Sequence, residues 1–327
     1  MLVMDESKSR LAFPQTRNRT NGLFAPHFGL RKLPFTSSLD RRWYFPHESA
    51  LEVINTLQYA MRTGEGITKI IGESGSGKTY VVSNLLSTMS EEFFVIKVLD
   101  PAVSPRSLLK SILDEMCIEY SNELSNQQLI KAILSSLCEF YSRAQTPVII
   151  CIDNAERMPI ATLVTVSILN NLETQHRKLL QTILIGTSEL DRTLERPALK
   201  SLHQKISFSA EMRNLKKDEL REYIKDRVRK SGDDNVELFS QDAIDALYKV
   251  SYGVPRLVNL LSYKSMMLAY GQGMLQVNKT HVYMAAEDTR QIKDVQQHKF
   301  PVWGYIPFVF SFAGLIALLV YKVSASG

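Results

Sequence analysis

Cysteine is scarce in this chain. Only Cys117, Cys138 and Cys151 occur among 327 residues, with no CxxC pair and no histidine nearby at metal-ligand spacing. That excludes a disulfide-stapled fold, and the three thiols are expected to be buried and reduced, in a reducing compartment. The amino terminus, MLVMDESKSRLAFPQTRNRT, has no apolar core, which excludes a secretory signal. No compositional extreme is present either: 45% of residues are hydrophobic and 22% charged, so wholesale disorder and collagen-like classes fall away. Charge of one sign is not in large excess. The net charge of +5 and isoelectric point near 8.9 suit a neighbouring anionic membrane or nucleic acid without requiring one.

Charge is missing outright from Pro301 to Tyr321. A bilayer's hydrocarbon core needs about 20 apolar helical residues. Trp303 and Tyr305 stand at one end of the run and Tyr321 and Lys322 at the other, where interfacial anchors belong. Pro307 falls in the first turns, where a helix tolerates it. Residues 301–323 are therefore expected to form one transmembrane helix, with nothing folded beyond it. Arg290, Lys293 and Lys299 before the run, against Lys322 after it, predict that the preceding domains face the cytoplasm.

Apolar periodicity organises the rest. Residues 1–21, with Arg10, Arg17 and Arg19, read as a disordered basic tail. An aromatic turn (RRWYFP) leads into a helix over 48–62. Strands are predicted over 67–71, 93–99, 147–152, 181–186 and 206–208, and helices from 78, over 105–119, 126–143 and 160–174. The run PVIICI has the continuous apolar character of a strand buried on both faces. Strands alternating with helices predict an α/β core on a parallel sheet, residues 22–212. Helices over 217–231, 240–251, 255–270 and 280–289 then predict a helical lid, residues 213–290, followed by a linker, 291–300. Between them Gly253 suits a left-handed position after a helix and Pro255 the first turn of the next.

Gly72-Glu73-Ser74-Gly75-Ser76-Gly77-Lys78-Thr79 matches GxxxxGK[ST] after a strand and at a helix start, the setting a P-loop requires. In such a loop the backbone amides wrap the phosphates of ATP, Lys78 reaches the β- and γ-phosphates, and Thr79 ligates Mg²⁺. Asp153, directly after the buried run, stands where a second metal-side carboxylate is needed. A water-polarising glutamate commonly follows that aspartate. Here the next residue is Asn154, and the nearest carboxylate is Glu156, which can substitute only if the loop bends inward. Thr187 can sense the γ-phosphate or serve as an ordinary strand-end residue. Arg256 opens a lid helix, where a cation is unfavourable unless it meets an anion.

Over residues 28–287 the sequence resembles the AAA+ ATPases of bacterial envelope machines: the general secretion pathway protein A family and the related ATPases of MSHA pilus biogenesis. The likeness rests on HFGLRKLPF with Asp40 and YFP, YAMRTGEG leading into GESGSGKT, LNNLETQHRKLLQTILIGTSELDRTL, and GVPRLVNLLSYKSMMLAY. It implies an ATPase core with a helical lid, homo-oligomerisation, Arg256 as the lid's sensor, and partners among the secretion or pilus assembly proteins of a bacterial inner membrane. Secretion-type members usually carry a peptidoglycan-binding module after the span. Its absence here points to the pilus type or a divergent relative.

Two departures matter. The family's Asp-Glu-Ala-Gln reads Asp153-Asn154-Ala155-Glu156, and its Gln-Arg-Ile, where an arginine could serve a neighbouring subunit, reads Gln204-Lys205-Ile206. Both remove parts that speed hydrolysis and leave binding intact, so slow ATP turnover is predicted. Two other functions stay open: a DNA-associated regulator of the transposition-ATPase kind, disfavoured by the anchor and the amino-terminal motif, and a nucleotide-dependent scaffold without turnover.

Overall fold

The computed structural model describes residues 24–36, 41–64, 66–144, 146–172, 178–232 and 237–289. The basic tail and the uncharged run Pro301–Tyr321 lie outside them. Among the described residues no helix is long and apolar enough to cross a membrane.

Strands β1 (Ile67–Gly72), β2 (Phe94–Val98), β3 (Val148–Ile152), β4 (Leu180–Gly186) and β5 (Ile206–Met212) form one sheet in the order β2-β3-β4-β1-β5. Every pairing is parallel. All residues of β3 and β4 are buried, because helices cover both faces of the sheet and leave no wet side. Side-chain alternation distributes them between two apolar layers. Ile149, Cys151, Ile183 and Ile185 pack with Val53 and Leu57 of α1 (Glu48–Thr63) and Val81 and Leu85 of α2 (Lys78–Thr88). Ile150, Ile152 and Leu184 pack with Leu108 and Ile112 of α3 (Pro105–Glu115), Ile133 of α4 (Asn126–Ala144) and Leu163 of α5 (Ile160–Leu169). Polar residues in β4 are satisfied internally: Gln181 Nε2 donates to the Met61 carbonyl at 3.1 Å, and Thr182 Oγ1 accepts from Asn170 Nδ2 at 3.2 Å.

Short helices α6 (Ser188–Leu194) and α7 (Lys200–Gln204) link β4 to β5. The lid comprises α8 (Lys217–Lys230), α9 (Gln241–Ser251), α10 (Pro255–Gly271) and α11 (Lys279–Glu287). Residues 24–35, which the sequence placed with the sheet, contribute instead to the lid's apolar cluster. Phe24, Phe28, Leu30, Leu33 and Phe35 pack there with Tyr223, Leu247, Leu261 and Val282.

Several predicted boundaries move for identifiable reasons. Helix α3 stops at Glu115, not 119, because Cys117 turns left-handed (φ 56°) and the Ile118 amide bonds back to Leu113. Cys117 is thereby exposed, against the expectation of three buried thiols, and Cys138 is only partly covered. Cys151 is buried, and its thiol is pushed up to about 12 by that burial, with the Asp153 charge adding. Helix α5 ends at Leu169, capped by the buried Asn170, whose side chain donates to the Gly66 carbonyl at 2.9 Å. Strand β5 runs four residues past Phe208, to Met212, each paired to β1.

Candidate nucleotide site

Parallel strands bring their carboxyl ends to one edge of the sheet, and ligands in such sheets bind just outside that edge. Gly72 ends β1, Asp153 follows β3, and Thr187 follows β4, which lies between them. The chain order 72, 153, 187 thus becomes a spatial cluster.

The loop after β1 turns on two left-handed glycines, Gly75 (φ 85°) and Gly77 (φ 100°), the latter capping α2. Lys78 is buried, and its Nζ donates to the Gly72 and Glu73 carbonyls at 2.8 and 2.9 Å. Burial holds its pKa below the ordinary lysine range, opposed by the charges of Glu156, Asp153 and Glu73 in that order. Thr79 Oγ1 donates to Asp153 Oδ2 at 2.6 Å. A hydroxyl beside a carboxylate is an all-oxygen donor set, which suits Mg²⁺ carrying most of its own waters. Ser76 is 1% exposed, and its hydroxyl has no hydrogen-bond partner among the described residues, an orphan that a phosphate oxygen would satisfy. On both counts the residues fit MgATP.

Asn154 adopts a left-handed conformation (φ 52°, ψ 45°), and its amide donates to Asp153 Oδ1 at 2.9 Å. The turn that follows, Ala155–Arg157, brings Glu156 back to the strand edge. Glu156 Oε2 accepts from the Thr187 amide at 3.3 Å. Thr187 is the amino-terminal cap of α6, its hydroxyl accepting from the Glu189 amide at 3.4 Å. The γ-oxygen of Thr187 therefore serves the helix while the residue still lines the pocket.

Arg256 comes to the P-loop from the lid. Its backbone amide donates to the Gly75 carbonyl at 3.2 Å, and a Cβ on Gly75 would lie 2.8 Å from Arg256 Cβ. The lid is seated by a second close approach. Gly253 is left-handed (φ 72°), its carbonyl accepts from the Leu215 amide at 3.0 Å, and a Cβ there would meet the Leu215 oxygen at 2.1 Å. Glu73 is held from the strand side by Asn214 Nδ2 at 2.8 Å.

Lys205 is not part of this cluster. It precedes Ile206, which pairs with Ile67 at the amino end of β1, the sheet edge opposite the P-loop. Its Nζ donates to the Ser167 carbonyl and hydroxyl at 2.8 and 3.1 Å. Burial and the nearby Lys178 lower its pKa.

A cavity of about 580 Å³ joins the P-loop to a second, aromatic end that sequence reading left without a role. Trp43, Tyr44, Phe45, His47, Tyr223, Arg227 and Asn259 line it. Tyr44 stacks on Tyr80 of α2 with centroids 6.2 Å apart, and the Tyr44 hydroxyl has no partner. The Arg227 guanidinium sits 4.9 Å from the Trp43 ring and 5.1 Å from that of Tyr223, with its Nε unpartnered. Tyr223 donates to Asn259 Oδ1 at 2.8 Å. A flat ring with polar edges would be stacked and hydrogen-bonded there, as a nucleobase requires. The aromatic turn RRWYFP was visible in the sequence; its meeting with α8 and α10 was not.

The sheet order, the loop and the paired Thr79 and Asp153 define a P-loop nucleotide-binding fold of the AAA+ kind, and residues 61–194 match the family model described as an AAA domain. The chain is similar to General secretion pathway protein A of Aeromonas hydrophila, with 29% identity over 272 residues, 83% of this chain and 49% of that one. It thus spans about half the length of the relative it matches, and the resemblance drawn from its motifs extends over most of the chain. Among solved structures it superposes on Cdc6p from Pyrobaculum aerophilum with a TM-score of 0.58 at 15% identity, covering 78% of this chain and 70% of that one. Aeropyrum pernix ORC1 in complex with DNA gives 0.54 at 18%, covering 77% and 71%. At such identities the likeness is one of fold alone.

Proposed function

We propose that this chain is an AAA+ ATPase with slow turnover, anchored in a bacterial inner membrane by residues 301–323. There it assists the assembly of a secretion or type IV/MSHA-like pilus apparatus as a homo-oligomer. The observation that carries the ATPase reading is the 2.6 Å contact between Thr79 and Asp153 beside the buried Lys78. Residues Gly72 to Thr79 hold the phosphates, with Thr79 and Asp153 on the metal side. Bound Mg²⁺ would neutralise charge on the β- and γ-phosphates. Arg256, tied to the P-loop backbone at Gly75, relays nucleotide occupancy to the lid, and Thr187 reports through α6. Asn154 is neutral and cannot take up a proton, which supports slow hydrolysis with near-normal binding. Lys205, its Nζ taken up by Ser167, does not supply the planar fork that an arginine would offer a neighbouring subunit, which also supports slow hydrolysis. The relative's secretion role and the uncharged run support the envelope setting.

The test is thermal. MgATP should raise the melting temperature of the parent and leave Lys78→Ala unmoved; an equal shift in both would remove the P-loop assignment. For the anchor, a chain ending at Lys299 should leave the membrane fraction, and retention after a salt wash would place the anchor elsewhere. A DNA-associated role is the other reading. Duplex binding that weakens steeply with salt would favour it.

A further inference from the structure

We infer that Glu156, not the residue next to Asp153, is the carboxylate that receives the proton of the attacking water, delivered to the site by the left-handed turn at Asn154. This rests on the ATPase reading and deepens it.

Asn154 at φ 52° is one of three left-handed residues other than glycine among those described. Asparagine tolerates that conformation better than glutamate does, because its short side chain bonds locally. The residue that removes the ordinary base is therefore also the residue that permits the bend. After the bend Glu156 faces inward. Its Oε2 lies 3.3 Å from the Thr187 nitrogen, and a Cβ on Gly186 would come within 2.8 Å of that oxygen, so the carboxylate lies directly against the end of β4. Gly186 leaves that space open. Glu156 lines the same cavity as Lys78, Thr79, Asp153 and Arg256. Its Oε1 makes no hydrogen bond among the described residues, which leaves one oxygen for water.

In the step assigned to it, the water oxygen bonds to the γ-phosphorus while the bond from that phosphorus to the β–γ bridging oxygen breaks. The bridging oxygen keeps the electron pair and leaves on ADP. Glu156 takes the water's proton and returns it to phosphate or solvent. No oxidant or reductant is needed.

Glu156→Gln separates this role from a structural one, because the amide oxygen still accepts from Thr187. The full chain in detergent is loaded with MgATP, and the bound nucleotide is extracted over time, beside a melting curve. Parent protein should yield ADP progressively. Glu156→Gln should keep the MgATP-induced shift yet yield ATP, with conversion slowed about 100-fold, and Glu156→Asp should fall between. Equal ADP formation in parent and Glu156→Gln would overturn the inference, as would loss of the MgATP shift along with turnover in Glu156→Gln. A parent that binds MgATP and forms no ADP would overturn it while leaving nucleotide binding intact. A parent without any MgATP shift would overturn both.

Discussion

The two ends of the nucleotide cavity are assembled differently. The phosphate end is one uninterrupted stretch, Gly72 to Thr79, whose geometry follows from left-handed glycines and a helix start. The aromatic end draws Trp43, Tyr44 and His47 from the approach to α1, Tyr223 and Arg227 from α8, and Asn259 from α10. Backbone makes the first end and packed side chains the second. Changes at the first should therefore affect any triphosphate, whereas changes at the second should depend on the base attached to it.

The largest effect is expected where backbone conformation itself forms the site. Gly75→Val places a branched side chain at φ 85°, with its Cβ 2.8 Å from Arg256 Cβ. Strain of that kind costs about 1–3 kcal/mol. MgATP and Mg-tripolyphosphate should both bind about 10- to 100-fold more weakly, measured by calorimetry. Loss of only one of them would mean that the two ends are not independent.

Next comes chemistry without binding. Asn154→Glu supplies a carboxylate beside Asp153, and turnover should rise at least about tenfold with the dissociation constant unchanged. Because Glu at position 154 must also adopt φ 52°, a rise accompanied by a lower melting temperature is the expected pattern. No rise would mean that the carboxylate gained at position 154 does not outweigh the disturbed turn that delivers Glu156.

At the aromatic end, Tyr44→Ala removes the ring stacked on Tyr80. ATP should bind about fivefold more weakly, in the range of one lost aromatic contact, while tripolyphosphate binding stays as in the parent. An equal loss for both ligands would place Tyr44 in the fold and not against the base.

The smallest effect is a pH dependence. His47 Nδ1 accepts from the Ala50 amide at 3.1 Å at the start of α1, and His281 Nδ1 accepts from the Asn278 amide at 3.1 Å at the start of α11. Burial lowers both pKa values, with Glu219 opposing the shift at His47. The unfolded chain then binds more protons than the folded one near and below pH 6.5, so stability present above that pH is lost as pH falls through the folded values. Melting temperature should decline from pH 7.5 to 5.5, and less steeply in His47→Asn, which keeps a capping acceptor without a titration.

Much of the sheet was legible because β3 is an unbroken apolar run and β1 and β4 are largely apolar around Thr68, Lys69, Gln181 and Thr182, and parallel order then fixes which strand ends share an edge. The P-loop was legible because its geometry lies in consecutive residues. Three features were hidden. The left-handed turn at Cys117 has no glycine to announce it, so α3 was read too long. Glu156 stands three residues beyond Asp153, and only the conformation of Asn154 decides whether it faces the site. The aromatic end depends on α8 and α10 meeting the approach to α1, a contact between residues nearly 200 positions apart that no local pattern records.

The lid's apolar cluster contains both Phe24–Phe35 and residues from Leu215 to Ala285. On the ribosome the first of these emerges before any strand and the second after all of them. The sheet and its helices can close while Phe24, Phe28 and Leu30 still have no partner, and these side chains stay uncovered until the last helices appear. Domains fold as units in order of synthesis, and exposed apolar segments are where aggregation begins. The nascent chain therefore carries an adhesive amino-terminal stretch through most of its own translation, a span in which a chaperone has something to hold.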